Sequence, residues 1–341
     1  MSDATKDKLQ HKQLLILGNG FDLSLGLKTR YADFFDACIK SKSEIEYIVA
    51  LNDLVQVLCQ LKSNLVAIGN VELLSKIKQD IPNKFEAVNK CGEQPLFEQT
   101  HVDNLIGKID KKISYESSTI RVANSVDMDQ SLYTKAKEAL DTTLLSSNMF
   151  ESILAIGNRQ DCNWCDIEKR IEDSLKVLKS KDNNLKQGVI DYNYIIELFK
   201  QKYKDKTVDT VIEHLKQLEQ SFCKYLVDEV IRVANIYLDP DKFIDLVNSL
   251  LSDKVNSIDY SKDAQSDYSN VNILTFNYTN LFEWRSITQR INQLNPDFKQ
   301  FKISNVHGKI SMRDNSNIIF GVDDSVCRDD ATLGYLARHI G

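Results

Sequence analysis

Two polar side chains in this chain stand where short apolar runs stop. Val271-Asn272-Ile273-Leu274-Thr275-Phe276 ends at Asn277, and Phe301 to Val306 ends at His307-Gly308. Asn carries both a carbonyl acceptor and an amide donor, which suits it to orient a water or a sugar hydroxyl. His is the side chain best matched to proton transfer near neutral pH. A third stop lies near the start, where Leu14-Leu15-Ile16-Leu17 breaks on Gly18-Asn19-Gly20 ahead of Phe21-Asp22. Glycines let backbone N–H groups approach an anion, and a following helix adds partial positive charge. The three stops therefore read as one edge that holds a nucleotide or another anionic ligand. The blander alternatives are a turn with glycine for steric reasons alone and a structural histidine.

The elements that must position these residues follow from the apolar pattern. Leu14 to Leu17 has the length of a strand buried on both faces. Tyr31 to Cys38 has helical spacing, which predicts a helix to about Lys40. From Ser43 to about Ser261 the periodicity is almost wholly helical. Ile45, Ile48, Leu51, Val55 and Leu58 form one stripe, and Ala136, Leu140, Leu144 and Leu145 form another, followed by Phe150, Ile153 and Leu154. The longest predicted helix, Val208 to Tyr237, carries Val211, Leu215, Leu218, Phe222, Leu226, Val230 and Val233. Asn89 to Gln99 and Lys181 to Asn184 read as loops, and Asp253 to Asn270 as a linker. Strand character then returns at Val271–Phe276, at Phe301–Val306 and at Ile318-Ile319-Phe320. A helix from Asn280 to Ile291 is predicted between the first two. The third run ends at Gly321-Val322-Asp323-Asp324.

The expected architecture is an α/β domain whose parallel sheet is split in sequence by a large all-helical insertion. Residues 1–42 and 266–341 would form the sheet domain and residues 43–265 a helical lid. Strand tips bearing Gly, Asn, His and Asp are where an open α/β sheet places its ligand crevice.

Composition narrows the function classes. A net charge of −6 over 341 residues offers no excess of Lys or Arg to replace counterions, so a nucleic-acid partner is not expected. Seven scattered cysteines with no signal peptide predict reduced thiols and a cytoplasmic location. No apolar run reaches the roughly 18–20 residues of a membrane span.

Other motifs are weaker. Gly18-Asn19-Gly20-Phe21-Asp22-Leu23 lacks the third glycine of a dinucleotide fingerprint, and Gly26-Leu27-Lys28-Thr29 is not a Walker loop. Cys162-Asn163-Trp164-Cys165 is a lone CxxC without the second ligand pair that zinc needs, so no metal is expected. Trp164 and Glu168, four apart, share a helix face and could support a site, the alternative being a core tryptophan with an ion-paired glutamate. Asp166, Glu168, Lys169 and Arg170 only loosely match a metal-dependent nuclease. His11, His101, His214 and His339 carry no assigned role.

Three groups of residues resemble the AbiH family of bacteriophage abortive-infection proteins. They are Leu15 to Asp22 with Gly26-Leu27-Lys28-Thr29 and Tyr31; Trp164 to Glu168; and Ile273 to Thr279 with His307-Gly308 and Phe320 to Asp323. The order of elements is also similar to the sirtuin-like, Rossmann-like fold of prokaryotic defence NADases. That resemblance implies catalysis by Asn277 and His307 on NAD or a related nucleotide, with no separate cofactor. Gly18, Asn19, Gly20, Phe21, Asp22, Thr275, Thr279, Gly308, Gly321 and Asp323 would line the nucleotide. Thr279 stands where sirtuins carry the Asp that holds nicotinamide. The expected role is infection-triggered nucleotide depletion, with a phage-encoded trigger and a homo-oligomer through the helical insertion as partners. The alternatives are a non-catalytic nucleotide-sensing module and a metal-dependent nuclease.

Overall fold

The computed structural model describes residues 13–62, 71–117, 130–157, 164–179, 190–236, 239–252, 271–283, 285–294, 302–306, 308–310 and 317–318. Strand β1 (Gln13–Leu17) runs directly into a short helix α1 (Asn19–Ser24), and α2 (Tyr31–Phe34) continues as a π-helical turn over Phe35–Ile39. The helical region that follows comprises α3 (Ser43–Lys62), α4 (Val71–Cys91), α5 (Gln99–Ser117), α6 (Gln130–Ser146) and α7 (Met149–Gly157). It continues with α8 (Trp164–Lys179), α9 (Tyr192–Tyr203), α10 (Thr207–Ile236) and α11 (Pro240–Ser252). Strand β2 (Val271–Thr275), a 3₁₀ turn (Leu281–Glu283), α12 (Arg285–Leu294) and β3 (Lys302–Asn305) complete the sheet region. Two short strands, β4 (Gly308–Lys309) and β5 (Asn317–Ile318), pair antiparallel. Among the described residues no helix is long and apolar enough to cross a membrane.

The helices form where periodicity demands. Ile45, Ile48, Leu51, Val55 and Leu58 on α3 are buried, as are Ala136, Leu140 and Leu144 on α6. The loop predicted near Gly92 and Pro95 separates α4 from α5. The Lys181–Asn184 loop and the Asp253–Asn270 linker fall outside the described residues.

Contacts divide the described residues into two compact units. One gathers residues up to Phe34 together with those from Glu219 onward, and the other those from Phe35 to Leu218. The first division falls between α2 and the π-helical turn, the second within α10. Residues from Glu219 join the sheet because Val230 and Val233 of α10 share a core with Leu17, Phe21, Leu25, Leu27, Ile273 and Ile287. Phe243 and Val247 of α11 share it too. The helical insertion read from sequence, 43–265, had placed these residues with the lid.

Three parallel strands lie in the order β1-β2-β3, with Leu17 beside Thr275 and Thr275 beside Asn305. This is a small parallel α/β sheet split in sequence, in a chain that is mostly helical. Two expectations need correction. First, β1 is not buried on both faces: Leu14 and Ile16 are 53% and 59% exposed, whereas Leu17 is buried. An apolar run four residues long does not reveal how many of its faces are covered. Second, among the described residues Ile318 lies in β5, which pairs antiparallel with β4 and does not join β1–β3. With only about seven residues between the two strands, a hairpin pairing is the one such a connection allows.

Candidate functional site

The glycine turn is short, since Gly18 alone separates β1 from α1, which begins at Asn19. Gly18 occupies the N-cap in extended conformation, and its carbonyl accepts from the Phe21 N–H at 2.9 Å. A Cβ at Gly18 or Gly20 would meet nothing within 4 Å, so both leave open space above the turn. Gly26, by contrast, has φ +84°, the left-handed conformation that ends α1. There the Leu25 and Leu27 N–H groups both donate to the Asp22 carbonyl.

The segment Leu27–Tyr31 is pinned from several sides. Thr29 donates to Asn19 Oδ1 at 2.5 Å, and Tyr225 on α10 donates to the Lys28 carbonyl at 2.8 Å. Glu229, also on α10, accepts from the Lys28 N–H at 2.8 Å. Burial pushes the Glu229 carboxyl up, but hydrogen bonds from Arg232 and Lys28 outweigh it and hold it below its usual range. Tyr31 is buried, stacks on Phe222 and lies 3.4 Å from the Tyr278 hydroxyl. The Gly26, Thr29 and Tyr31 positions are thus accounted for by backbone shape and packing.

Asp22 is a buried carboxyl of this unit. Placed one turn into α1, it is 2% exposed. Asn277, 255 residues later in the chain, donates to its Oδ1 at 3.0 Å through Nδ2. Thr279 donates to its Oδ2. Both donors follow β2, and the Asn277 N–H in turn donates to Thr275 Oγ1 at 3.1 Å. Parallel pairing of β1 with β2 brings the glycine turn and the Asn277 segment to one carboxyl end, the predicted ligand edge of such a sheet. The Asp22 hydrogen-bond partners are neutral, so they offset its removal from water only in part. Burial raises the carboxyl from 3.8 to about 7, against the lowering effect of Thr279 and then Asn277.

Beside Asp22 lies a cavity of about 10 Å³ whose polar walls are Asp22, Thr275, Asn277, Thr279 and Asn280. Two of these wall residues, Asn277 and Asn280, have buried side-chain oxygens without a hydrogen-bond partner. Asn280 was missed in the sequence reading. Its signal was the polar spacing Asn277, Thr279, Asn280 directly after a buried strand.

The other sequence-predicted site residues divide as follows. Phe21 is buried in the core, stacked on Phe282 at 6.3 Å and edge-on to Phe243 at 5.7 Å. Gly308 opens β4. His307, Gly321 and Asp323 lie outside the described residues. Trp164 and Glu168 fall on the first turns of α8, but their side chains are outside the described set. Lys169 and Arg170 of the nuclease-like cluster are engaged locally: Lys169 pairs with Asp173 at 3.1 Å, and Arg170 donates to the Gly157 carbonyl at 2.8 Å. Among the described residues no group of three or more His, Cys, Asp and Glu is placed to hold a metal ion. His214 accepts from the Met149 N–H at 2.9 Å, and burial lowers its pKa, so it serves the start of α7. His101 accepts from the Glu98 N–H at 3.2 Å.

A larger groove of about 310 Å³ lies along α5, lined by residues including His101, Lys108 and Lys111. It is larger than the Asp22 cavity, whose walls hold the buried carboxyl with the raised pKa.

Comparison with known proteins identifies a family. The family model described as bacteriophage abortive infection AbiH covers residues 14–333. Neither a curated protein nor a solved structure matches the chain. The match includes the glycine turn, Asp22 and the whole Asn277 segment, and it runs through nearly all of the 341 residues. The chain therefore belongs to the bacteriophage abortive infection AbiH family, proteins of phage defence.

Proposed function

We propose that this family member is a nucleotide glycohydrolase of NAD type that depletes its substrate when a phage-encoded trigger is sensed. The observation that carries the reading is the contact of Asp22 with Asn277 and Thr279. It joins a glycine turn to the polar end of the next parallel strand and keeps a carboxyl buried with a pKa near neutrality. Perturbed carboxyls at such edges are candidates for proton transfer.

In this scheme the nucleotide phosphates lie over Gly18, Asn19 and Gly20, where the backbone is open. Asn277 orients a water toward the anomeric carbon. The water oxygen bonds to that carbon as the glycosidic C–N bond breaks, and the bonding pair leaves with neutral nicotinamide. The water's proton passes to a carboxylate or imidazole, for which Asp22 and His307 are the candidates. The ionised carboxyl would also steady the developing oxocarbenium charge. Substrate depletion needs no added cofactor, and the helical unit is the surface for a homo-oligomer.

A second reading, a nucleotide sensor without turnover, is favoured by one feature. Both Asp22 oxygens are occupied, and the adjoining cavity is about 10 Å³, where ligand pockets measure some 300–1,000 Å³. A separating experiment incubates purified protein with NAD, its phosphate and ATP, with and without phage lysate, and resolves products by mass. Glycohydrolase action releases nicotinamide, and Asn277→Ala lowers the rate by roughly 10²-fold or more. Binding by calorimetry with no product in either condition supports the sensor. An activity abolished by chelation and restored by a divalent ion would instead identify the nuclease class.

A further inference from the structure

The cavity beside Asp22 holds a feature that the proposed reaction leaves unexplained. Asn277 and Asn280 are 4% and 7% exposed, and each side-chain oxygen is buried with no donor within reach. Two such oxygens on residues lining one cavity are exceptional, because buried carbonyl groups almost always find a donor. The Asn277 orientation is fixed by its other end, since Nδ2 donates to the Asp22 carboxyl. Its oxygen therefore cannot be satisfied by turning the amide over while Asp22 is ionised.

Size and polarity together define what fits. The volume of about 10 Å³ matches the roughly 10–15 Å³ that one water needs, and is far too small for an organic ligand. A water supplies two O–H donors, one for each orphaned oxygen. Its lone pairs can accept in return, and the Thr275 hydroxyl on the same wall has a hydrogen to give.

We propose that this cavity is a dedicated site for one ordered water, gripped by Asn277 Oδ1 and Asn280 Oδ1 next to Asp22. Asn280 is then a positioning residue. It acts through the water to hold the Asn277 amide from one side while Asp22 holds it from the other. The proposal stands apart from the glycohydrolase reading, because it concerns how Asn277 is fixed and its test needs no turnover.

The test combines high-resolution crystal structures of the wild type and Asn280→Leu with their melting curves. The wild type should show one water within about 2.7–3.2 Å of both oxygens. Asn280→Leu should lack it and melt about 2 °C lower, the Asn277 oxygen being left alone. A dry wild-type cavity overturns the proposal. So does a leucine variant that melts higher, because leucine would then merely remove an unsatisfied group. Should Asn280→Leu fail to fold, the wild-type density decides alone. Melting in sodium, potassium and choline chlorides at equal ionic strength should coincide. A rise confined to one alkali ion and lost in Asn280→Ser would mark a cation there and overturn the water assignment.

Discussion

Glu151 and Asp22 are buried to nearly the same depth, 3% and 2% exposed, and are stabilised in opposite ways. Glu151, on α7 in the helical unit, accepts both contacts from the Lys42 ammonium, at 2.7 and 2.8 Å. Nearby pairs repeat the pattern: Lys84 with Asp53 and Lys200 with Glu197. Asp22, in the sheet unit, is held by a carboxamide and a hydroxyl, and among the described residues no cation is within ion-pair distance. A paired carboxylate stabilises packing, whereas one left with neutral partners keeps a proton affinity near neutral pH. The difference supports placing the proposed site at the sheet edge rather than in the helical unit.

The sharpest break of this contrast is pH-dependent stability. Asp22 has a folded pKa of about 7 against 3.8 unfolded. Between those values the folded state keeps the proton that the unfolded state has released, so stability falls as pH rises from about 4 to 7 and then levels. Asp22→Asn removes that slope. The stability of the variant relative to wild type should climb across this window by as much as about 4 kcal/mol, at 1.4 kcal/mol per pK unit. Urea titrations at pH 4.5, 6 and 7.5 read the difference. A constant offset at all three would put Asp22 among ordinary carboxylates.

On the helical side the partner matters instead. Lys42→Met strands Glu151 and should lower stability by about 2 kcal/mol, less than for a fully buried pair because Lys42 is 37% exposed. Denaturation midpoints at pH 7 check it, and Glu151→Gln on that background should recover part of the loss. Thr279→Val comes next. It deletes one donor to Asp22, so stability should drop by about 1 kcal/mol and the carboxyl midpoint, followed by carbon NMR, should move further up. The smallest effect belongs to the surface of α8, where Lys176 pairs with Glu172 in the open. Lys176→Ala should change stability by less than about 0.5 kcal/mol, measurable only by difference melting.

What the sequence made legible follows from the range of the signals involved. Helical stripes such as Val211 to Val233 repeat over many turns, and all seven residues are buried. The apolar runs ahead of Gly18 and Asn277 marked two paired parallel strands and their common edge. Asp22 was visible only as one candidate among several for contacting a sugar. That it meets Asn277, 255 residues away, and Thr279 depends on β1 pairing with β2, which no local pattern encodes. The exposed Leu14 and Ile16 show the same limit, because coverage of a strand face is decided by distant chain. Asn280 read from sequence only as the start of a helix, although Asn277 and Thr279 precede it closely. Its orphaned oxygen becomes visible only once the cavity closes round it.

The most direct test of the claim that this edge carries the protein's function is a plating assay. Cells expressing wild type, Asp22→Asn or Asn277→Ala would be challenged with a restricted phage, with folding of each variant verified by melting. The account predicts that both variants fold and that both lose protection. Full protection by a folded Asp22→Asn protein would contradict it and move the functional site elsewhere in the chain.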